Sequence, residues 1–172
     1  MKYFIMKQEK QIGNLIKLRD FKGNKHITFT KDQENKLNDV STLFVTGNQD
    51  SVYTDFIENP LFLISDELKK IFEIYEHTLL YKTVVLSNIQ EKVQKVYHMV
   101  LTDKIDCLSD QTTFYKNGWE KDIVLDKDKL QNHNIFQIEG TTGEYLIVVL
   151  DMAESILRRD FVGMSFEEIE VI

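Results

Sequence analysis

Few residues in this chain combine types and spacing that could do chemistry. Cys107 and His98 stand nine residues apart, a separation at which neighbouring strands could bring a thiol against a base. A lone cysteine in apolar surroundings is ordinarily an inert core residue, and Cys107 is read that way. The histidines are His26, His77, His98 and His133, and none is followed at i+3 or i+4 by a second histidine or a carboxylate. A metal site would therefore have to be assembled by the fold alone. His77, near a predicted helix end, has a simpler role as a cation facing the negative end of the helix dipole. No G-x-x-x-x-G-K-[ST], G-x-S-x-G or H-E-x-x-H pattern occurs, which removes the nucleotide-loop, serine-elbow and zinc-helix classes. No catalytic residue, metal ligand or cofactor-binding residue is assigned, and no cofactor is expected.

A second group of residues suits recognition better than catalysis. Between Asp103 and Asp128 the acids Asp103, Asp106, Asp110, Glu120, Asp122, Asp126 and Asp128 outnumber Lys104, Lys116, Lys121 and Lys127, with Lys129 just beyond. Phe114, Tyr115 and Trp119 lie among them. Aromatic anchors supply area that loses its water, and surrounding charges set encounter rate and partner choice. Trp119, Tyr115, Asp122, Asp126 and Asp128 are the candidate partner-binding residues. The competing reading is a solvated loop with a few buried aromatics. Stacking of bases on these rings is disfavoured by the local acidity.

Charge is unevenly spread along the chain. Residues 1–40 hold nine Lys or Arg against five Asp or Glu, whereas the remainder holds twelve against twenty-three, and the whole chain of 172 residues carries −7. An acidic surface repels nucleic acid and anionic membrane and favours a basic partner, although solubility alone would also account for it. The start, Met1 to Lys7, has too few apolar residues for a signal core or a membrane span. With a single cysteine, this points to the cytoplasm. A chain of this length buries about 70% of its unfolded surface, and one proline with seven glycines offers no long linker. One domain over residues 1–172 is expected, with residues 1–59 its less defined part.

The chain is organised around an apolar run, Pro60 to Ile64, that turns into a helix. Ser65 is the expected N-cap, and Asp66 and Glu67 place negative charge at the positive helix end. Leu68, Ile71, Phe72 and Tyr75 fall at i, i+3, i+4 and i+7, one face for burial. Burial of that face contributes about 6–10 kcal/mol as an upper bound, at roughly 1.5–3 per large side chain.

Around this helix the pattern is mostly of strands. Lys2 to Met6 reads as a first strand, Ile12 to Phe21 as irregular structure leading into a strand, and His26 to Thr30 as a strand after the turn signal Gly23-Asn24. Residues 31–41 read as an exposed connection. Tyr81–Leu86 and Val93–Leu101 form a hairpin, and Asp122–Leu125, Asn134–Ile138 and Tyr145–Val149 are further strands. Asp151 with Glu154 has the form of a capping box opening a second helix, and Met164 to Val171 closes the chain as a strand. The fold class is α+β, a mainly antiparallel sheet with two short-to-medium helices packed on it.

The order of these pieces resembles a known family. Tyr3-Phe4, Ile64-Ser65-Asp66-Glu67-Leu68-Lys69, Val96-Tyr97-His98-Met99-Val100, Ile105-Asp106-Cys107-Leu108, Ile135-Phe136 and Phe161-Val162-Gly163-Met164-Ser165-Phe166 look like the eleventh immunity family of bacterial polymorphic toxin systems, earlier described as a domain of unknown function. The resemblance covers residues 60–172 most clearly. Asp106-Cys107-Leu108-Ser109-Asp110 departs from the family's acidic and hydroxyl pattern by its cysteine and shortened spacing. The resemblance implies a non-catalytic cytoplasmic protein that binds and neutralises a cognate protein toxin, basic at its contact face. The alternative is a small ligand-binding regulator or enzyme with a pocket between helix and sheet.

Overall fold

The computed structural model describes residues 1–19 and 26–172. The expected turn at Gly23-Asn24, and Phe21, lie outside the described residues. In chain order the strands begin with β1 (Tyr3–Gln8), β2 (Lys17–Leu18) and β3 (Val40–Thr46). Next come β4 (Phe56–Ile57) and β5 (Leu63–Ser65), which runs straight into α1 (Asp66–Tyr75). The hairpin β6 (Leu80–Asn88) and β7 (Val93–Leu101) follows, then β8 (Lys104–Ile105), β9 (Thr113–Phe114), β10 (Glu120–Asp122) and β11 (Val124–Leu125). The chain ends with β12 (Ile135–Ile138), β13 (Leu146–Val149), α2 (Leu150–Leu157) and β14 (Met164–Val171).

The architecture is α+β, built on two six-stranded sheets where a single one was expected, with β9 and β10 apart from both as a two-stranded ribbon. One sheet runs β11-β14-β1-β13-β12-β8 and the other β2-β3-β6-β7-β5-β4. Most pairings are antiparallel, but β3–β6, β8–β12 and β11–β14 are parallel. The first strand lies between β13 and β14, with Ile5 opposite both Ile147 and Glu167. The start of the chain is thereby built into the sheet of its C-terminal part. No helix among the described residues is long and apolar enough to cross a membrane.

One apolar cluster joins the two sheets through the helices. Leu68, Ile71 and Phe72 of α1 and Met152, Ala153 and Ile156 of α2 share it with Ile64 and Val100 from one sheet and Ile5, Phe136 and Ile147 from the other. Val84, Leu86, Tyr97 and Leu101 fill a second cluster on the far side of β6 and β7, covered by Ile16, Leu18, Phe29 and Leu37. Helix α1 starts as its sequence requires. Ser65 Oγ accepts from Leu68 N–H at 3.2 Å and donates to Asp55 Oδ1 at 2.7 Å.

Three expectations about elements are corrected. His26 to Thr30 is not a strand, since only Thr30 makes an isolated bridge, to Thr102. Residues 31–41 are not simply a connection. They hold a 3-10 turn, Lys31–Lys36, with Thr30 and Gln33 closing its capping box, and then the start of β3. Helix α2 begins two residues earlier than its composition suggests, with Val149 as N-cap and no side-chain cap. The Leu150 N–H, the first of the helix, donates to the Lys2 carbonyl at 3.0 Å, which ties the start of α2 to the backbone beside β1. Glu154 does not reach back to Asp151, because its carboxylate pairs with Arg158 at 2.7 Å.

Candidate partner-binding site

The thiol and imidazole that could have formed a nucleophile and base belong to different surroundings. His98, on β7, has its Nε2 at 2.9 Å from Asp66 Oδ1 at the start of α1. That hydrogen bond, together with the charge of His98 and the nearby lysines, holds the Asp66 carboxyl below its usual range against the opposing effect of burial. Cys107 is fully buried, and its pKa is pushed up to about 11, by burial first and then by the charge of Asp106. A buried thiol with that pKa is a poor nucleophile at neutral pH. Among the described residues no hydrogen bond joins Cys107 to His98. His77 lies exposed beyond the end of α1, and His133 stands beside the Phe136 ring. Among the same residues no group of three or more His, Cys, Asp or Glu is gathered as around a metal ion.

The aromatic and acidic residues are organised by the β9–β10 ribbon. Its loop is set by Gly118, whose φ of 87° suits a residue without a Cβ. Gly118 N–H donates to Tyr115 O at 2.9 Å and Tyr115 N–H to Trp119 O at 2.8 Å, the arrangement of a three-residue hairpin loop closed by a left-handed glycine. Asn117 Oδ1 accepts from Trp119 N–H at 3.2 Å and stiffens the same loop. Tyr115 and Trp119 therefore stand opposite each other at the head of the ribbon. Further down, Phe114 pairs with Glu120 and Thr113 with Asp122, with an irregularity between Glu120 and Asp122 that bulges Lys121 out of register.

Alternation along the strands then separates two faces. Tyr115, Trp119, Thr113 and Asp122 share one, and the Thr113 hydroxyl donates to Asp122 Oδ2 at 2.7 Å across it. Phe114 and Glu120 share the other. Glu120 is only 9% exposed, and it binds the ribbon to the loop before β13. Its carboxylate accepts from Thr142 N–H at 2.6 Å, Gly143 N–H at 3.2 Å and Tyr145 Oη at 2.9 Å. Burial alone would raise the Glu120 pKa. The amides of Thr142, Glu120 itself and Gly143, with the Tyr145 hydroxyl, outweigh it and hold the carboxyl below its ordinary value. Thr142 Oγ1 also donates to Gly118 O at 3.0 Å. The ribbon is thus fixed by one face, and its other face is turned to water with Tyr115 56% and Trp119 49% exposed.

The remaining candidates fall elsewhere. Asp126 is the N-cap of the 3-10 turn Lys127–Lys129, accepting from Asp128 N–H at 3.0 Å, and Asp128 is exposed on that turn. The structure brings Tyr115, Trp119 and Asp122 onto one ribbon face and sets Asp126 and Asp128 on a separate element. Nor is the acidic stretch a uniform surface, because Asp103 pairs with Lys31 at 2.7 Å and Glu120 is turned inward. The anchoring function of Glu120, Thr142, Gly143 and Tyr145 escapes sequence reasoning. The available signal is the pair of glycines Gly140 and Gly143 just before Tyr145, which marks a turn and no more.

A groove of about 780 Å³ lies between the segment after β1 and residues 52–60, lined by Gln8, Ile12, Leu15, Val52, Ile57 and Pro60. It is not between helix and sheet, where Leu68 and Phe72 are fully buried in the core. Comparison of the chain with known protein families and with curated proteins finds no match.

Proposed function

We propose that this chain is a non-catalytic cytoplasmic immunity protein that binds and neutralises a cognate protein toxin. The observation that carries the reading is the ribbon face of Tyr115, Trp119 and Asp122, exposed aromatics beside a carboxylate on an element fastened from behind by Glu120. Exposed Tyr and Trp on a fixed scaffold are efficient contact residues, because they bring large area and lose little conformational freedom on binding. The net charge of −7 steers a basic partner toward the protein. The order of motifs from Ile64 to Phe166 supports the same reading through its resemblance to immunity proteins, and with it a single domain that acts by occupancy.

The test is co-expression with the protein encoded beside this chain. Expression of that neighbour's C-terminal region alone should arrest bacterial growth, and adding this chain should restore growth and yield a complex on co-purification. A neighbour that is harmless, or a toxic one that this chain neither binds nor relieves, overturns the proposal.

A further inference from the structure

The ribbon's register places two aromatic rings and one carboxylate in line on an outward face. We infer that this face receives an arginine side chain carried on an exposed loop of the protein partner. The inference rests on the toxin-binding reading for the identity of the partner, but its chemistry stands on the ribbon alone.

Tyr115 and Trp119 are joined across the head of the ribbon by the Tyr115 N–H to Trp119 O bond, so their side chains are cross-strand neighbours with Cβ atoms about 5 Å apart. Both rings are half exposed. They are not what holds the ribbon, since Glu120 and Thr142 do so from behind. Asp122 follows on the same face, and its Oδ2 is occupied by the Thr113 hydroxyl. That bond fixes the carboxylate, and among the described residues no hydrogen bond or ion pair reaches its Oδ1. A ring face beside an oriented carboxylate is complementary to a planar cation that stacks and donates at its edge. Guanidinium meets this description better than ammonium, because it is planar, more weakly hydrated and able to donate two parallel hydrogen bonds. Lys116 on the loop and Lys121 on the bulge are exposed neighbours that form no ion pair with Asp122 among the described residues. Their charge weakens the attraction for any cation, so selectivity here comes from stacking and geometry more than from field strength. The net charge of −7 supplies the complementarity to a basic partner.

Trp119 is the only tryptophan of the chain, and its emission therefore reports this face directly. The folded chain is titrated with a blocked Gly-Arg-Gly peptide, and with Gly-Lys-Gly and Gly-citrulline-Gly as comparators, at about 0.15 M salt to screen diffuse attraction. The arginine peptide should change the emission saturably, at a concentration about fivefold lower than the lysine peptide, and the citrulline peptide should not. Asp122→Asn should weaken the arginine response about five- to tenfold, while Asp106→Asn, off the ribbon, should leave it intact. No saturable response, an equal response to citrulline, or an unchanged response in folded Asp122→Asn overturns the inference. With the toxin in hand, neutralisation and affinity unchanged in the double variant Trp119→Ala, Asp122→Asn overturn this site and leave the toxin-binding reading standing. A harmless neighbour overturns that reading, and the peptide titration still decides the site.

Discussion

Replacing Glu120 is the sharpest perturbation of the ribbon, because this one carboxylate fastens its inner face. In Glu120→Ala the amides of Thr142 and Gly143 and the hydroxyl of Tyr145 lose an ionised acceptor that stands at 2.6, 3.2 and 2.9 Å. A hydrogen bond to a charged group contributes about 1.5–3 kcal/mol net, and contributions within one cluster do not add. Gly143 is buried, whereas Thr142 retains access to water, so a loss of about 3 kcal/mol for the docked ribbon is expected. That corresponds to roughly a 150-fold rise in the population with the ribbon undocked. Native-state hydrogen exchange at the Thr142 and Gly143 amides should accelerate by about 100-fold, while amides of β1 and β13 keep their protection. Glu120→Gln retains the shape with a neutral acceptor and should show a smaller acceleration. Unchanged exchange at both amides in a folded Glu120→Ala protein would refute the fastening. Loss of protection spread evenly through β1 and β13 would show that Glu120 supports the whole fold and not the ribbon.

The same carboxylate has a pH signature. Its folded pKa lies below the ordinary glutamate value of 4.5, so its contribution is fully present above that value and is lost as pH falls through the lower folded pKa. Thr142 and Gly143 exchange, corrected for intrinsic rates, should rise on acidification below about pH 4.5 in the native protein and stay flat in Glu120→Ala. Phe72, fully buried on α1, should cost about 3–5 kcal/mol when replaced by Ala. Lys69→Ala, which removes an ion pair to Glu73 and a contact over the Tyr81 ring, should cost about 1 kcal/mol or less. Equal losses for the two in chemical denaturation would show the helix faces wrongly assigned. Cys107, fully buried with its pKa pushed up to about 11, should resist alkylation in the native state and react on unfolding. Rapid labelling of the folded protein would contradict a passive thiol.

Local signals in the sequence specify local structure well. Ser65, Asp66 and Glu67 mark the start of α1, and the spacing of Leu68, Ile71 and Phe72 identifies its buried face, because cap chemistry and helical period act over a few residues. The β6–β7 hairpin follows from two β-rich runs around one short turn. What the sequence hides is long-range pairing. The insertion of β1 between β13 and β14, and the parallel pairing of β3 with β6, depend on partners far along the chain that no local period encodes. His26 to Thr30 has strand composition without a strand partner, and composition alone cannot supply one. The capping box at Asp151 failed for a related reason, since the N-cap lies two residues before it, at Val149, and the first N–H of the helix, that of Leu150, bonds to a distant carbonyl, that of Lys2.

The candidate site shows the same division between composition and register. Its composition, aromatics among acids, was legible at Tyr115, Trp119 and Asp122, but a count of charges treats Glu120, Asp122 and Asp126 as equivalent. Register makes them three different groups. Glu120 lies opposite Phe114 and turns inward onto backbone amides, whereas Asp122, one bulge later, turns outward beside the rings. Asp126 turns to cap its own 3-10 turn. The bulge at Lys121 decides this, because in a regular strand of the same sequence Asp122 would fall on the same face as Glu120 and the outward face would carry Lys121 beside Trp119. A lysine there would repel the cation that the present face attracts. Deleting Lys121 should therefore leave Asp122 directly after Glu120, still opposite Thr113 and in line with Trp119, and selectivity for the arginine peptide should survive in a protein that retains its two large sheets; its loss in such a folded deletion protein would show the register wrongly assigned.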